Sequence, residues 1–314
     1  MTENKAKKIN TVCCYGTGVI GGGWVAHFLR NGLNVIAYDP NPKSEAFLKK
    51  LLEDCWPVLE QLGMAENASL DNLTIAKSHE QAIDGVQFIQ ESVVENEAIK
   101  MELLAKLDCD VDPSVIISSS SSGFLAANLR SQCQNRGGRV IVGHPFNPPY
   151  LIPLVEVVGG EGCDSDIVDA AVEFYDSLGG KAVILRNEIE GYIANRIQDA
   201  VFKEVLYLVQ QDIASVKDID DAITYGPALR WALMGPGQVS YLACQDPEKY
   251  GDLFDQLAEE TKHYVAPNDV EISSELRAQY IREIEEVAGG TKRDALMAKR
   301  DGGIVSILRT LDSL

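Results

Sequence analysis

Apolar and polar positions follow two periods in turn through the first 190 residues. Ile9–Tyr15 is a short, β-branched apolar run and reads as a strand. It ends in Gly16-Thr17-Gly18-Val19-Ile20-Gly21, after which Trp24–Arg30 continues at helical spacing until Asn31-Gly32 stops it. Asn34–Tyr38 is a second strand, ending at Asp39. The pattern then predicts helices over Ser44–Leu62, Asn96–Leu107, Gly123–Arg130 and Val168–Leu178. Strands are predicted over Leu73–Ala76, Val86–Ile89, Val115–Ser118, Val140–Gly143 and Ala182–Leu185. Short apolar strands alternating with helices predict an α/β fold with a doubly wound, mostly parallel sheet.

From residue 190 the strand signal is gone. Ile193–Gln211, Val216–Tyr225, Trp231–Ala243, Tyr250–His263 and Ser274–Val287 all read as helices, and Ala295–Leu314 closes the chain. Ile197, Val201, Val205 and Leu208 mark one apolar stripe on the longest of them, either a core face or a dimer seam. Two domains are therefore expected, 1–190 and 191–314, the second all-α.

A glycine triplet spaced as Gly16, Gly18 and Gly21 is weak evidence alone. Here it lies between a strand and a helix, with an acid 18 residues after Gly21, which is the context of a Rossmann-type dinucleotide site. Gly16 permits the tight turn, Gly18 lets the backbone approach a pyrophosphate, and Gly21 allows close helix–strand packing. Val19 and Ile20 open the helix, whose N–H groups and positive dipole end face the phosphates. Asp39 accepts from ribose hydroxyls and repels a 2′-phosphate, which points to NAD, although Lys43 nearby leaves room for NADP.

A second candidate lies mid-chain. His144 leaves the run Val140–Val142, prolines at 145, 148 and 149 reverse the chain, and Glu156 reappears inside Leu154–Val158. An ionised Glu within a buried strand costs several kcal/mol unless it is paired or hydrogen-bonded. His144, 12 positions earlier, is the nearest partner in sequence, and a His held by a buried carboxylate makes an oriented general base. The alternative on these residues alone is a surface His beside an edge-strand Glu. In doubly wound sheets ligands bind at the carboxyl ends of strands, where His144, Glu95, Lys100 and Ser118–Ser122 fall.

Composition narrows the function classes. A hydrophobic fraction of 46% with 24% charged residues is ordinary for a globular chain. A net charge of −19 argues against nucleic acid, whose binding rests on Lys and Arg neutralising phosphates. No run of about 18 apolar residues offers a membrane span. Residues 1–8 lack the apolar core of a signal peptide, and the seven cysteines show no CxxC pairing, so a cytoplasmic protein with reduced thiols is expected.

Together GTGVIGGGW, QESVVENEAIK, ISSSSSGF, GHPFNPPYLIPLVEVVGG and GYIANR, in this order, resemble the 3-hydroxyacyl-CoA dehydrogenase superfamily across nearly the whole chain. Within it, EQLGMAENASLDNL and IASVKDIDDAITYGPALRWALMGP are most similar to the branch acting on L-carnitine. The gulonate branch (with the lambda-crystallins) and the short-chain 3-hydroxybutyryl-CoA branch are near relatives. The resemblance implies NAD as cofactor and a small 3-hydroxy acid as substrate; a homodimer through the helical half is expected besides. It implies His144 as general base, Glu156 as its carboxylate partner, Ser122 (or Ser121, in the serine run) as donor to the substrate oxygen and Asn195 as a further polar contact. Glu95 and Lys100 match positions lining the NAD site. Two positions depart from the carnitine pattern: Asn195, where that branch can carry Asp, and Pro227-Ala228, where small residues such as Gly are expected.

Carnitine carries a carboxylate and a quaternary ammonium. The carboxylate suits an Arg, and the ammonium suits aromatic faces. Arg230, Trp231 and Tyr241 offer both chemistries in one region: Arg230 for the carboxylate, Trp231 or Tyr241 for the ammonium. The alternative for Trp231 is a buried anchor of an amphipathic helix, the commoner case for an isolated Trp. A CoA thioester would instead need a basic groove, for which Lys43, Lys49 and Lys50 are the compact candidates. A third class is a non-catalytic NAD-binding protein of crystallin type.

Overall fold

The computed structural model describes residues 9–243, 251–252, 255–256, 259, 264 and 272–313. The N-terminal segment 1–8, Cys244 and most of the helix expected over Tyr250–His263 lie outside the described residues. The elements of the first part are β1 (Thr11–Tyr15), α1 (Val19–Arg30), β2 (Asn34–Tyr38), α2 (Ser44–Leu62), β3 (Leu73–Ile75), α3 (His79–Ile83) and β4 (Phe88–Glu91). They continue as α4 (Glu97–Asp110), β5 (Ile116–Ser119), α5 (Ala126–Leu129), β6 (Val140–Pro145), β7 (Leu154–Val158), α6 (Ser165–Ser177) and β8 (Lys181–Ile184). Eight strands make one sheet in the order β3-β2-β1-β4-β5-β6-β7-β8. The pairs from β3 to β6 are parallel, β6 meets β7 antiparallel, and β8 runs parallel to β7. The sheet is thus the doubly wound, mostly parallel one expected, with strand order reversing between β1 and β4.

Strands covered on both faces bury every residue, as β4, β5 and β6 do, polar positions included. One face packs Trp24, Phe28, Phe88, Phe174 and Tyr175, with ring centroids of Phe88 and Phe174 4.4 Å apart. The other face holds Ile89, Leu104, Leu107, Ile117 and Val142. Each such side chain contributes about 1.5–3 kcal/mol on burial. The entry of β6 is fixed by two buried arginines. Arg139 bonds the carbonyl of Asp108 at 2.7 Å, and Arg130 spans the carbonyls of Val140 (3.0 Å) and Gly159 (2.6 Å), tying the start of β6 to the end of β7.

Several expected boundaries shift. β6 runs two residues beyond the predicted Gly143, because antiparallel pairing with β7 continues through His144↔Glu156 and Pro145↔Val155. His144 therefore lies inside the strand rather than after it. The helix expected over Gly123–Arg130 shrinks to Ala126–Leu129, since Ser121 Oγ and Phe124 N–H are occupied in a turn (3.2 Å) before it.

The chain divides into two compact units, Met1–Asn195 and Arg196–Leu314. The helix α7 (Ala194–Gln210) spans that division, and the second unit adds α8 (Val216–Tyr225), α9 (Pro227–Leu233), α10 (Pro236–Leu242), α11 (Ser274–Ala288) and α12 (Arg293–Asp312). The core of the second unit is Val205, Leu206, Val209, Val216, Ile219 and Leu276. The predicted stripe is half right: Val205 is buried, whereas Ile197 is 54% exposed. The single helix expected over Trp231–Ala243 is two, α9 and α10. Met234 is extended, Gly235 caps the next helix, and Pro236 opens it without an N–H to continue the first. Among the described residues no helix is long and apolar enough to cross a membrane.

Candidate active site

The glycine turn connects β1 to α1 at the carboxyl edge of the sheet. Gly16 has φ +90°, and a Cβ there would meet the backbone of Ser92 at 2.6 Å. A Cβ at Gly21 would fall 1.9 Å from the carbonyl oxygen of Gly16. Gly18 differs: a Cβ there would meet nothing within 4 Å, so its backbone faces open space. No side chain caps the start of α1, and no acid stands in its first turn, which begins at Val19 and Ile20. This turn has the room and the donors that a pyrophosphate requires. Asp39, at the end of β2, accepts from Thr17 N–H and Asn41 N–H, both at 2.9 Å, which aims its carboxylate at the turn. Thr17 and Asp39 line one cavity of about 360 Å³ with Ile75, Ala76 and Lys77. An acceptor-only side chain in that place fits a ribose diol, so the residues present fit NAD.

At the other end of the edge, His144 on β6 and Glu156 on β7 are cross-strand neighbours. His144 Nδ1 lies 2.8 Å from Glu156 Oε2, with the residues 4% and 1% exposed, respectively. The alternative of a surface His beside an edge strand is excluded, since β8 covers the far side of β7. The second carboxylate oxygen of Glu156 accepts from Ile193 N–H (2.8 Å) and Ala194 N–H (3.0 Å), at the start of α7. Burial works to raise the Glu156 carboxyl. His144 and the two N–H groups outweigh it and hold Glu156 below the ordinary carboxylate range. Glycine at 143 is required behind the pair: a Cβ there would strike the Tyr175 hydroxyl at 2.2 Å and Ser118 Oγ at 2.4 Å.

The serine run that ends β5 and continues past it carries the next members of the site. Ser122 N–H and Ser121 Oγ both donate to Glu95 Oε1 at 2.8 Å, and Ser122 Oγ lies 3.2 Å from the same oxygen. Asn195 Nδ2 donates to the Ser122 carbonyl at 2.9 Å. Asn195 follows directly on Ala194, a ligand of Glu156, so His144, Glu156, Asn195 and Ser122 form one connected group. Lys100, 1% exposed, lies 3.3 Å from Glu95 Oε2 and 2.7 Å from Glu91 Oε1. Burial again opposes ionisation of Glu95. Lys100, the Ser122 N–H and Ser121 overcome it and hold the carboxyl low.

Sequence reasoning missed two members of this group. Glu91, fully buried at the end of β4, accepts from Lys100, Ser119 Oγ and Val93 N–H (2.7 Å). The signal was weaker than for Glu156, because Glu91 stands between Gln90 and Ser92 at the end of its strand and not between two valines. Tyr192, with φ +51°, sits with its ring centroid 5.2 Å from that of His144 and donates to the Phe124 carbonyl at 2.7 Å. Nothing in its spacing marked it.

Arg230 and Trp231 stand on α9 and Tyr241 on α10, all in the second unit. Trp231 is 40% exposed and Tyr241 46%, so neither is a fully buried anchor.

Comparison with known proteins identifies the family. Residues 11–189 match the family model described as 3-hydroxyacyl-CoA dehydrogenase, NAD binding domain, and residues 191–265 match its C-terminal domain. An L-carnitine dehydrogenase of Streptomyces coelicolor is 42% identical over 312 residues, covering 98% of this chain and 96% of the relative. One from Bacillus cereus is 38% identical over 317 residues, covering 99% and 94%. Among solved structures, a 5-formyl-3-hydroxy-2-methylpyridine 4-carboxylic acid 5-dehydrogenase superposes with a TM-score of 0.83 at 22% identity, over 97% of this chain and 99% of that one. The (S)-3-hydroxybutyryl-CoA dehydrogenase PaaH1 of Ralstonia eutropha gives 0.63 at 22% identity, over 90% and 95%. These two likenesses speak to the fold.

Proposed function

The chain belongs to the 3-hydroxyacyl-CoA dehydrogenase family, an NAD-dependent group acting on CH–OH, and from that premise we propose that it oxidises the 3-hydroxyl of L-carnitine to 3-dehydrocarnitine. The observation that carries the chemistry is the buried 2.8 Å bond between His144 Nδ1 and Glu156 Oε2. With Nδ1–H committed to the carboxylate, Nε2 is the basic nitrogen, oriented to take the alcohol proton. Glu156, kept ionised by Ile193 and Ala194 N–H, stabilises the imidazolium that forms. Ser122 and Asn195 bind the substrate oxygen and hold the carbinol carbon in place, a reading supported by their mutual bond and by Asn195 adjoining a Glu156 ligand. When bound, NAD supplies the hydride acceptor. Gly16, Gly18, Val19, Ile20, Gly21 and Asp39 hold its phosphates and adenosine ribose, and Glu95 with Lys100 lines its nicotinamide half.

The substrate rests on the carnitine-acting relatives, at 38–42% identity over nearly full length in the two cited. Arg230 for the carboxylate and Trp231 or Tyr241 for the trimethylammonium are exposed enough to meet a ligand. A thioester is disfavoured because two lysines of its candidate groove are already paired, Lys49 with Glu45 at 2.8 Å and Lys50 with Asp54. A non-catalytic, crystallin-like role is disfavoured by the complete proton-transfer pair. The deciding experiment follows NADH absorbance with NAD and, separately, L-carnitine, L-gulonate and 3-hydroxybutyryl-CoA. Turnover with carnitine is expected; turnover only of gulonate or the thioester would move the substrate, and turnover of none would sink the dehydrogenase reading.

The protein acts in the cytoplasm, in keeping with free thiols at Cys13, Cys14, Cys55, Cys109, Cys133 and Cys163 among the described residues. It works as a homodimer through the helical unit, where Ile197, Phe202, Leu229 and Leu233 are exposed. A monomer mass by sedimentation at micromolar concentration would exclude the dimer.

A further inference from the structure

We infer that Glu91, through Lys100, sets the charge that the nicotinamide half of the site presents, and thereby makes the enzyme prefer oxidised NAD to NADH. This rests on the cofactor reading above. Three charged groups are in line. Glu91 is 0% exposed, Lys100 1%, and the side chain of Glu95 40%. The ammonium lies closer to Glu91 (2.7 Å) than to Glu95 (3.3 Å). Glu91 spends its remaining acceptor capacity inward, on Val93 N–H and Ser119 Oγ. The line holds two negative charges and one positive, and the cation is buried against the inner anion. The uncompensated charge is therefore left on Glu95, the only member that reaches the surface of the site.

Its position on the fold gives that charge a consequence. Strand order reverses between β1 and β4, and a dinucleotide lies across that crevice, its adenosine over the β1–β2 side that carries Asp39. Glu95 follows β4, on the opposite side, where the nicotinamide half of a bound dinucleotide would lie. The ring of NAD bears a positive charge and that of NADH bears none, while all other parts of the two molecules are the same. A net negative charge beside the ring lowers the free energy of the oxidised form alone. Glu156 does not duplicate this effect from the surface, being 1% exposed and covered by His144 and two backbone N–H groups. Glu91 is thus a positioning residue: without it, Lys100 would neutralise Glu95 and the preference would fade.

The ratio of dissociation constants for NADH and NAD, measured by calorimetric titration, isolates this effect, because a loosened loop or lost hydrogen bond weakens both forms together. Glu91→Gln should reduce the preference for NAD by on the order of tenfold, the factor expected for one unit charge a few ångströms from the ring at a half-exposed site. Glu95→Gln, a change at a half-exposed position that folding tolerates, should shift the ratio in the same direction and at least as far. The double variant Glu91→Gln/Lys100→Gln removes a compensating pair and should restore the ratio of the unsubstituted chain. An unchanged ratio in Glu95→Gln, or a double variant that does not restore it, overturns the inference even where Glu91→Gln alone does not fold. Failure of the unsubstituted chain to bind either form would overturn the cofactor reading and the inference with it.

Discussion

Glu91 and Glu156 stand on two strands of one sheet, equally buried, and differ in what they face. Glu91 meets Lys100, a permanent cation that is itself buried, and takes two further donors. Glu156 meets His144, a group that carries charge only when protonated, and takes two backbone N–H groups on its other oxygen. A buried carboxylate with a fixed cation forms a static pair that can only shape the field around it. A buried carboxylate with separate support can wait for a proton to arrive on its partner. The partner's chemistry, more than the depth of burial, separates an electrostatic device from a catalytic one.

The sharpest way to break that distinction is to remove the switchable partner. His144→Ala should lower kcat by about 10²–10⁴-fold, the usual worth of general acid–base help. NAD affinity should stay near that of the parent, since the glycine turn and Asp39 lie at the far end of the sheet edge. Near-parental turnover would mean that His144 is a packing residue like its neighbours. The next largest effect belongs to Glu156→Gln. Hydrogen bonds to charged groups are worth about 1.5–3 kcal/mol, so kcat should fall by roughly 10–100-fold. The loss should be smaller than for His144→Ala, because the amide still orients the ring. A loss confined to KM, with kcat intact, would show that Glu156 serves binding rather than proton transfer.

How much of this was readable beforehand follows from where each constraint is local. The glycine turn was legible because the spacing of its glycines is local, and the clash at Gly21 is with Gly16, five residues back, although the clash at Gly16 is with the distant backbone of Ser92. The pair His144–Glu156 was legible because a charge inside an apolar run announces its cost. Glu91 gave no such signal, standing between Gln90 and Ser92, and its partner Lys100 lies nine residues on, across a turn, and was read as facing the cofactor. The full extent of β6 was not local at all; it depends on the antiparallel partner that carries the pairing past Gly143 to Pro145. Tyr192 depends on a left-handed backbone after Gly191 and on a carbonyl 68 residues earlier. The break between α9 and α10 could have been read from Gly235-Pro236, but the apolar periodicity from Trp231 to Leu242 overrode it.

A third buried ionisable group completes the comparison by having no partner. His27 on α1 is 6% exposed, packed against Trp24 and Phe28, and its Nδ1 has no hydrogen-bond partner among the described residues. Burial, aided by Arg30, lowers its pKa from 6.5 to about 3. Because the folded value lies below the unfolded one, the unfolded chain binds the extra proton across that interval, and stability rises with pH there. The contribution is fully present above about pH 6.5 and is lost progressively as pH falls towards 3. At 1.36 kcal/mol per unit, this group alone should cost about 2 kcal/mol by pH 5. His27→Leu, of similar volume and better helix propensity, removes the proton site and the orphaned nitrogen together. The urea midpoint should therefore fall less from pH 7 to pH 5 in His27→Leu than in the parent. Parallel losses in both proteins would place the acid sensitivity in the carboxylates. Glu156 would then lead that account, since its depressed folded pKa also removes stability as pH falls, but through the carboxylate range and below the imidazole one.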